Sequence, residues 1–174
     1  MKRNISLWQA MGFGITVLCG TLLHFLYDWT DGSTIAAVFS AVNESTWEHM
    51  KLFFIPAFIY AIVQRRFFPD FENFWCVKLI GIALGLILIP VLFYTYNGAL
   101  GASPDWVNIG IFILSSASAF YFENRLFKAG SIRCRAPYAA FALLILLAAL
   151  FVFFTFSPPK LPLFSDPVNG SYGI

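Results

Sequence analysis

Charged residues are scarce in this sequence. Only 11% of its 174 residues are Asp, Glu, Lys or Arg, whereas 59% are hydrophobic. A soluble domain carries about 25% charged residues, so the composition excludes an ordinary soluble fold. Apolar runs near the length of a bilayer crossing, about 20 residues, recur between short polar clusters. The sequence therefore predicts a single integral membrane domain over residues 1–174.

Cysteines and standard catalytic motifs are also few. The three cysteines, Cys19, Cys76 and Cys134, are odd in number and form no CxxC pair. This excludes a zinc knuckle and a full disulfide framework, and we expect ordinary thiols. There is no HExxH, GxSxG, phosphate-cradling glycine loop or haem CxxCH motif. The scattered basic residues exclude a nucleic-acid-binding face, so no nucleic-acid partner is expected.

The hydrophobic runs predict an all-α, polytopic transmembrane helix bundle. Five spans are predicted, at about residues 7–26, 45–63, 75–94, 106–122 and 138–156. The apolar segment 35–42 is too short to cross, which indicates a re-entrant or interfacial segment between spans one and two. Pro56 and Pro90 predict helix kinks, and Gly81-x-x-x-Gly85 predicts a close helix contact. The proline-rich tail 157–174 is not another span.

The basic residues predict the orientation. Cytoplasmic segments of membrane proteins carry an excess of Lys and Arg. With the N-terminus in the cytoplasm, eight of the eleven Lys and Arg residues fall on the cytoplasmic side: Lys2, Arg3, Arg65, Arg66, Arg125, Lys128, Arg133 and Arg135. Lys51 and Lys160 fall on the extracytoplasmic side. The stretch 24–51 and the C-terminal tail are therefore predicted to be extracytoplasmic.

The stretch 24–51 gathers polar chemistry that a membrane does not favour. It holds both histidines of the chain and several carboxylates. His24 and Asp28 are four residues apart, as are Glu44 and Glu48, and this spacing puts each pair on one helical face. Ionisable residues at membrane depth are costly and indicate function. The predicted ligands for Zn²⁺, Mn²⁺ or a similar divalent ion are His24, Asp28, Glu44, Glu48 and His49.

Without a metal, the same stretch offers acid and base groups. Histidine and carboxylate pairs pass protons in catalysis, and the predicted catalytic residues are His24, Asp28, Glu48 and His49. Asn43, Lys51 and Trp47 are the predicted substrate-binding residues. Two of these residues also have a structural interpretation. Glu48 can complete a capping box that begins at Ser45, and His24 can be a packing residue.

The C-terminal tail emerges on the same predicted side as this polar stretch. It either folds, as a lid carrying Asp166 or Asn169, over a cavity formed by this stretch, or is disordered. Phe164 and Tyr172 are hydrophobic anchors that favour docking.

Two motifs carry a family resemblance. The segment 24–29, HFLYDW, followed by the segment 42–49, VNESTWEH, resembles the signature of a family of small, uncharacterised bacterial multi-pass membrane proteins. The resemblance extends over most of the chain. It implies a bacterial plasma membrane location and says nothing about chemistry.

Three functions are compatible with these patterns. The leading one is a membrane-embedded hydrolase or transferase that acts on a lipid or lipid-linked substrate at the outer leaflet, with membrane lipids as its partners. A cation or proton-coupled transporter or oligomeric channel is the second. A non-catalytic partner subunit or sensor is the third. A homo-oligomer is left open.

Overall fold

A computed structural model describes residues 4–130 and 133–174 of the chain. Lys2 and Arg3, on which the predicted orientation partly rests, lie outside these ranges. Within them the chain is all-α, as predicted. The helices are α1 (Ile5–Trp29), α2 (Thr34–Phe39), α3 (Thr46–Phe67), α4 (Phe74–Leu100), α5 (Asp105–Ala129) and α6 (Pro137–Phe156), and a 3-10 turn follows at Pro162–Phe164.

Three of the described helices, α1, α4 and α6, are long and apolar enough to cross a membrane. This finding supports a multi-pass membrane protein, whereas the count of five spans stays a prediction. The predicted short segment after span one forms the six-residue helix α2. It packs against α1, α3 and α6.

Helix α3 lies at the centre of the bundle and packs against α1, α4 and α6. Most of its 22 residues are buried, including Phe53 and Phe54, which have no exposed surface. Lipid tails are as apolar as these side chains, so helix association in a membrane depends on close packing rather than on escape from water. The aromatic interior of α3 supplies that packing.

Glycines allow α4 to approach its neighbours closely. A Cβ added at Gly85 would overlap the Phe53 ring, and one at Gly81 would overlap the Glu123 side chain. The predicted close contact at these two glycines is confirmed. The space beside Gly81 holds an ion pair in which Lys78 Nζ lies 2.6 Å from Glu123 Oε2 and both side chains are buried.

Four of the described helices extend beyond their predicted ends, and α4 and α5 do so by the most residues. Helix α4 continues six residues past the predicted end at 94, to Leu100, and stops at Gly101, whose φ of 88° breaks the helix. Helix α5 continues seven residues past the predicted end at 122. The predicted ends lie where the apolar runs stop. Backbone hydrogen bonds do not require apolar side chains, so the helices continue into the polar residues that follow.

The expectation that all three cysteines are ordinary thiols is wrong for two of them. Cys76, at the start of α4, forms a disulfide with Cys134, which precedes α6. Their Cα atoms are 5.8 Å apart although 58 positions separate them in sequence. Only the folded topology brings these helix ends together. Cys19 is free, as expected.

The bundle has two distinct ends. We call the first the site end: there α1 finishes, α3 begins, and the C-terminal segment after α6 docks. We call the other the basic end, where α3 finishes with Arg65 and Arg66, α5 finishes with Lys128, and the disulfide lies.

Candidate metal centre

Three side chains meet at the site end. His24 comes from the last turns of α1, His49 from the first turn of α3, and Glu44 from the connector 40–45 between α2 and α3. Glu44 Oε1 lies 3.6 Å from His24 Nε2, and Glu44 Oε2 lies 3.4 Å from His49 Nε2. One ligand atom from each residue lies within 4.8 Å of the other two. This spacing suits one metal ion between them.

The start of α3 explains why Glu44 reaches this position. Ser45 is the N-cap, and its side chain accepts a hydrogen bond of 3.4 Å from the Glu48 backbone N–H. The Ser45 N–H donates instead to Asn43 Oδ1, at 3.0 Å. The predicted cap at Ser45 is confirmed, while Asn43 takes the backbone contact that a full capping box gives to the Glu48 side chain. Glu44 therefore lies outside the helix, and its carboxylate lies between the two imidazoles.

A backbone carbonyl orients His49. His49 Nδ1 lies 3.0 Å from the Ser45 carbonyl oxygen. A carbonyl oxygen can only accept, so Nδ1 must carry the proton and donate it, and the Nε2 lone pair is left on the side of Glu44. Metal-binding histidines usually have such a partner on their other nitrogen. His24 Nδ1 is buried and has no hydrogen-bond partner in the described parts of the chain.

The Glu44 carboxyl is adapted to stay ionised. Its pKa lies below the ordinary value of 4.5, first because of its polar contact with the His24 imidazole and also because of the charge of His49, while partial burial opposes both. The side chain is 47% exposed. An ionised carboxylate that is open to solvent can bind a cation and leave space for a further ligand.

The donor set favours one class of metal ion over another. Two imidazole nitrogens and one carboxylate oxygen form the ligand set of several catalytic zinc sites, in which water or substrate takes the fourth position. Imidazole suits zinc and other transition metals, whereas Mg²⁺ and Ca²⁺ prefer all-oxygen sites. Of the predicted ions, Zn²⁺ fits these residues best.

Glu48, a further predicted ligand, faces a different set of partners. Its Oε2 lies 2.6 Å from Lys51 Nζ, and its Oε1 accepts from the Thr155 hydroxyl at 2.9 Å. Lys51 Nζ also donates to the Ala37 carbonyl and to Thr155 Oγ1. The ammonium thus uses all three of its N–H donors. This buried network joins α2, α3 and α6 next to the metal group, by which we mean His24, Glu44 and His49.

The remaining predicted site residues are not among the three whose ligand atoms lie within 4.8 Å of one another. Asp28 is exposed, one turn beyond His24. Trp47 is buried against the rings of Phe151 and Phe164. Lys51 has no exposed surface. Their predicted catalytic and substrate-binding roles stay predictions.

The C-terminal tail docks at the site end, as its aromatic residues predict. Phe164 packs against Trp47 with ring centroids 4.8 Å apart. Asp166 is buried, and its Oδ2 accepts a 3.4 Å hydrogen bond from the Glu44 backbone N–H. Asn43 Nδ2 donates to the Gly173 carbonyl at 3.1 Å. Asn169 instead accepts from the Ser171 N–H within the tail.

Two of the residues around the centre are not among the predicted site residues. Thr155 joins the Glu48–Lys51 pair, and Gly173 accepts from Asn43. A polar residue near the end of the apolar run 139–156 is the signal that could have identified Thr155. Nothing in the sequence points to Gly173.

Comparison with protein families gives a match over residues 1–174, to a family described as "Family of unknown function (DUF6512)". Comparisons with curated proteins and with solved structures give no significant match. Because the family match covers every position from 1 to 174, this chain belongs to the DUF6512 family.

Proposed function

We propose that this protein is a membrane-embedded, zinc-dependent hydrolase or transferase that acts on a lipid or lipid-linked substrate at the outer face of a bacterial plasma membrane. The convergence of His24, Glu44 and His49, with ligand atoms within 4.8 Å of one another, carries the proposal. When bound, Zn²⁺ lowers the pKa of its water to about 7 and so supplies a nucleophile at neutral pH.

The chain's own residues have separate tasks in this proposal. His49 is held by the Ser45 carbonyl so that Nε2 binds the ion. Glu44 balances part of the metal's charge and, being half exposed, leaves the substrate a route to the ion. The buried Glu48–Lys51 pair anchors the first turns of α3, on which His49 lies.

An apolar groove supports a lipid substrate. It has a volume of about 780 Å³ and follows α1 and α3 from Trp8 to Trp29. The Trp29 ring stacks on Phe25, which in turn contacts the His24 ring at a centroid distance of 5.0 Å. The groove is lined mostly by apolar side chains, which suits an acyl chain, and these ring contacts connect its outer end to His24.

Metal analysis of the purified protein tests the proposal. After loading with Zn²⁺ and removal of excess metal, we expect about one zinc per chain, because a three-residue ligand set matches one four-coordinate ion. His24→Ala, His49→Ala and Glu44→Gln should each lose most of this metal and any metal-dependent turnover of phospholipid in mixed micelles. Glu72→Gln, at an exposed carboxylate in the α3–α4 connector, should keep both. Equal zinc contents in all five proteins would rule the centre out.

The same preparations separate the two alternative functions. Ion or proton flux in liposomes that is lost in Glu44→Gln, without lipid turnover, would favour the transporter or channel. Stable co-purification of another protein, together with no bound zinc, would favour the partner subunit or sensor.

A further inference from the structure

The C-terminal tail holds the connector that carries Glu44 at two neighbouring positions. The Glu44 backbone N–H donates to Asp166 Oδ2, and the Asn43 side chain donates to the Gly173 carbonyl. These contacts join residues 122 and 130 positions apart in sequence. Elsewhere the connector 40–45 is held by the Val42 N–H, which donates to Glu48 Oε2 at 3.3 Å, and by the Ser45 cap of α3.

The tail is itself firmly seated. Asp166 Oδ1 accepts from the Val168 N–H at 2.7 Å, and the Asp166 N–H donates to the Ser171 carbonyl, which closes a compact turn. The Ile174 N–H donates to the Thr155 carbonyl. Phe164 fills the space between Trp47 and Phe154. The part of the tail that contacts the connector is therefore itself held in place by hydrogen bonds and ring packing.

We propose that the C-terminal tail is a positioning element of the metal centre, in which Asp166 and Gly173 act through Asn43 and Glu44 without touching the metal. This role rests on the proposed function. Groups that orient metal ligands from outside the coordination sphere commonly change metal affinity by about 10- to 100-fold when they are mutated. The segment 166–174 would then set the affinity of a site more than 100 positions earlier.

Two glycines of the tail provide a matched pair of variants. Gly173 has φ of 64°, and an added Cβ would lie 2.7 Å from the Thr155 carbonyl oxygen, so alanine must displace the backbone that Asn43 contacts. Gly170 has a similar φ of 73° but open space around it. Gly173→Ala and Gly170→Ala therefore share the cost of a left-handed conformation and differ in the displacement of the tail.

The experiment measures Co²⁺ affinity of the full-length protein in detergent by the visible absorption of the bound ion. We expect Gly173→Ala to weaken binding at least tenfold and Gly170→Ala to leave it within about threefold. Asn43→Asp retains the acceptor for the Ser45 N–H, loses the donor to Gly173 and adds a negative charge beside Glu44. That charge alone would strengthen cation binding, so the weaker Co²⁺ binding that we expect in this variant reports the lost contact with Gly173. Asn43→Asp is the substitute if Gly173→Ala does not fold.

A double-mutant cycle distinguishes positioning from general loosening. Because Glu44→Gln binds metal weakly, Co²⁺ is titrated to higher concentration in this background, and there the effect of Gly173→Ala on affinity should shrink to within about threefold, since the tail acts through the Glu44 carboxylate. An unchanged tenfold effect in that background would overturn the positioning role. Equal affinities of the wild type and both glycine variants would overturn it while leaving the metal centre intact. No Co²⁺ binding by the wild type would overturn the proposed function itself, and this role with it.

Discussion

At the scale of single residues, Glu44 links the stability of the protein to pH. Its folded-state pKa is lower than 4.5, first through the contact with His24. A group whose pKa is lowered by folding adds stability at pH values above its unfolded pKa, and this stability is lost as pH falls through the folded-state value. The half-exposed position of the carboxylate means that solvent screens part of the effect.

We therefore expect Glu44→Gln to unfold more easily than the wild type above pH 4.5, in metal-free protein, and the difference to disappear as pH falls below the folded-state pKa. Thermal unfolding in detergent from about pH 3 to pH 6 measures this. Glu72→Gln is the control and should show no such convergence. A difference that instead grows as pH falls would contradict the contact between Glu44 and the histidines.

The same residue shows why the candidate site could be predicted only in part. Glu44 and Glu48 are four residues apart, which puts them on one face only if both lie in the helix. The helix begins at Thr46, so Glu44 belongs to the connector and Glu48 faces Lys51 and Thr155. His24, Glu44 and His49 were among the predicted ligands, and the fold brings these three together. The choice among five candidates depended on where a helix starts.

At the scale of helices, α4 depends on a glycine. Gly81 leaves room for the Glu123 side chain, whose carboxylate pairs with Lys78 inside the bundle. Lys78 Nζ also lies over the rings of Tyr60 and Phe120. Buried charges are tolerated only when they are paired with good geometry, and breaking such a pair leaves an uncompensated charge.

Gly81→Ala should therefore lower the free energy of unfolding by about 1–3 kcal/mol, because the new methyl group overlaps Glu123 and must displace it. Gly98→Ala is the matched control in the same helix, since its added Cβ meets no atom within 4 Å. It should be neutral or slightly stabilising, because alanine favours a helix more than glycine does. Thermal unfolding of both variants in one detergent tests this, and equal losses would contradict the packing at Gly81.

The course of the helices was more predictable than their contacts. Runs of apolar residues indicate α1, α4 and α6 directly, because a membrane-crossing helix must satisfy its backbone internally and present apolar side chains. The Cys76–Cys134 disulfide was not predictable. Its two cysteines lie 58 residues apart, and the local sequence around each one does not show which helix ends are neighbours in the fold. The contacts of Asp166 and Gly173 with the connector could not be predicted for the same reason.

At the scale of the whole molecule, the distribution of basic residues and the disulfide favour opposite orientations in the membrane. The basic end holds Arg65, Arg66 and Lys128 in the last turns of α3 and α5, which by the positive-inside rule favours the cytoplasm. The same end holds the disulfide, and disulfides are rare in the cytosol. We retain the orientation predicted from charge, in which the site end is extracytoplasmic.

Single cysteines in a background with Cys19, Cys76 and Cys134 replaced by serine test that orientation. Lys160→Cys, at an exposed position of the tail, should react with a membrane-impermeant maleimide in intact cells. Arg125→Cys, exposed near the end of α5, should react only after the cells are opened. The reverse pattern would place the metal centre in the cytoplasm and give the disulfide an oxidising surrounding.

The docked tail also constrains the order in which the protein matures. A chain is made from its N-terminus, so His24, Glu44 and His49 are all synthesised more than 100 residues before Asp166 and Gly173. Contacts between such distant segments form late. The connector that carries Glu44 gains the contacts of Asp166 and Gly173 only after these residues have been made, and a polypeptide truncated before Asp166 would retain all six described helices yet leave this connector without those contacts.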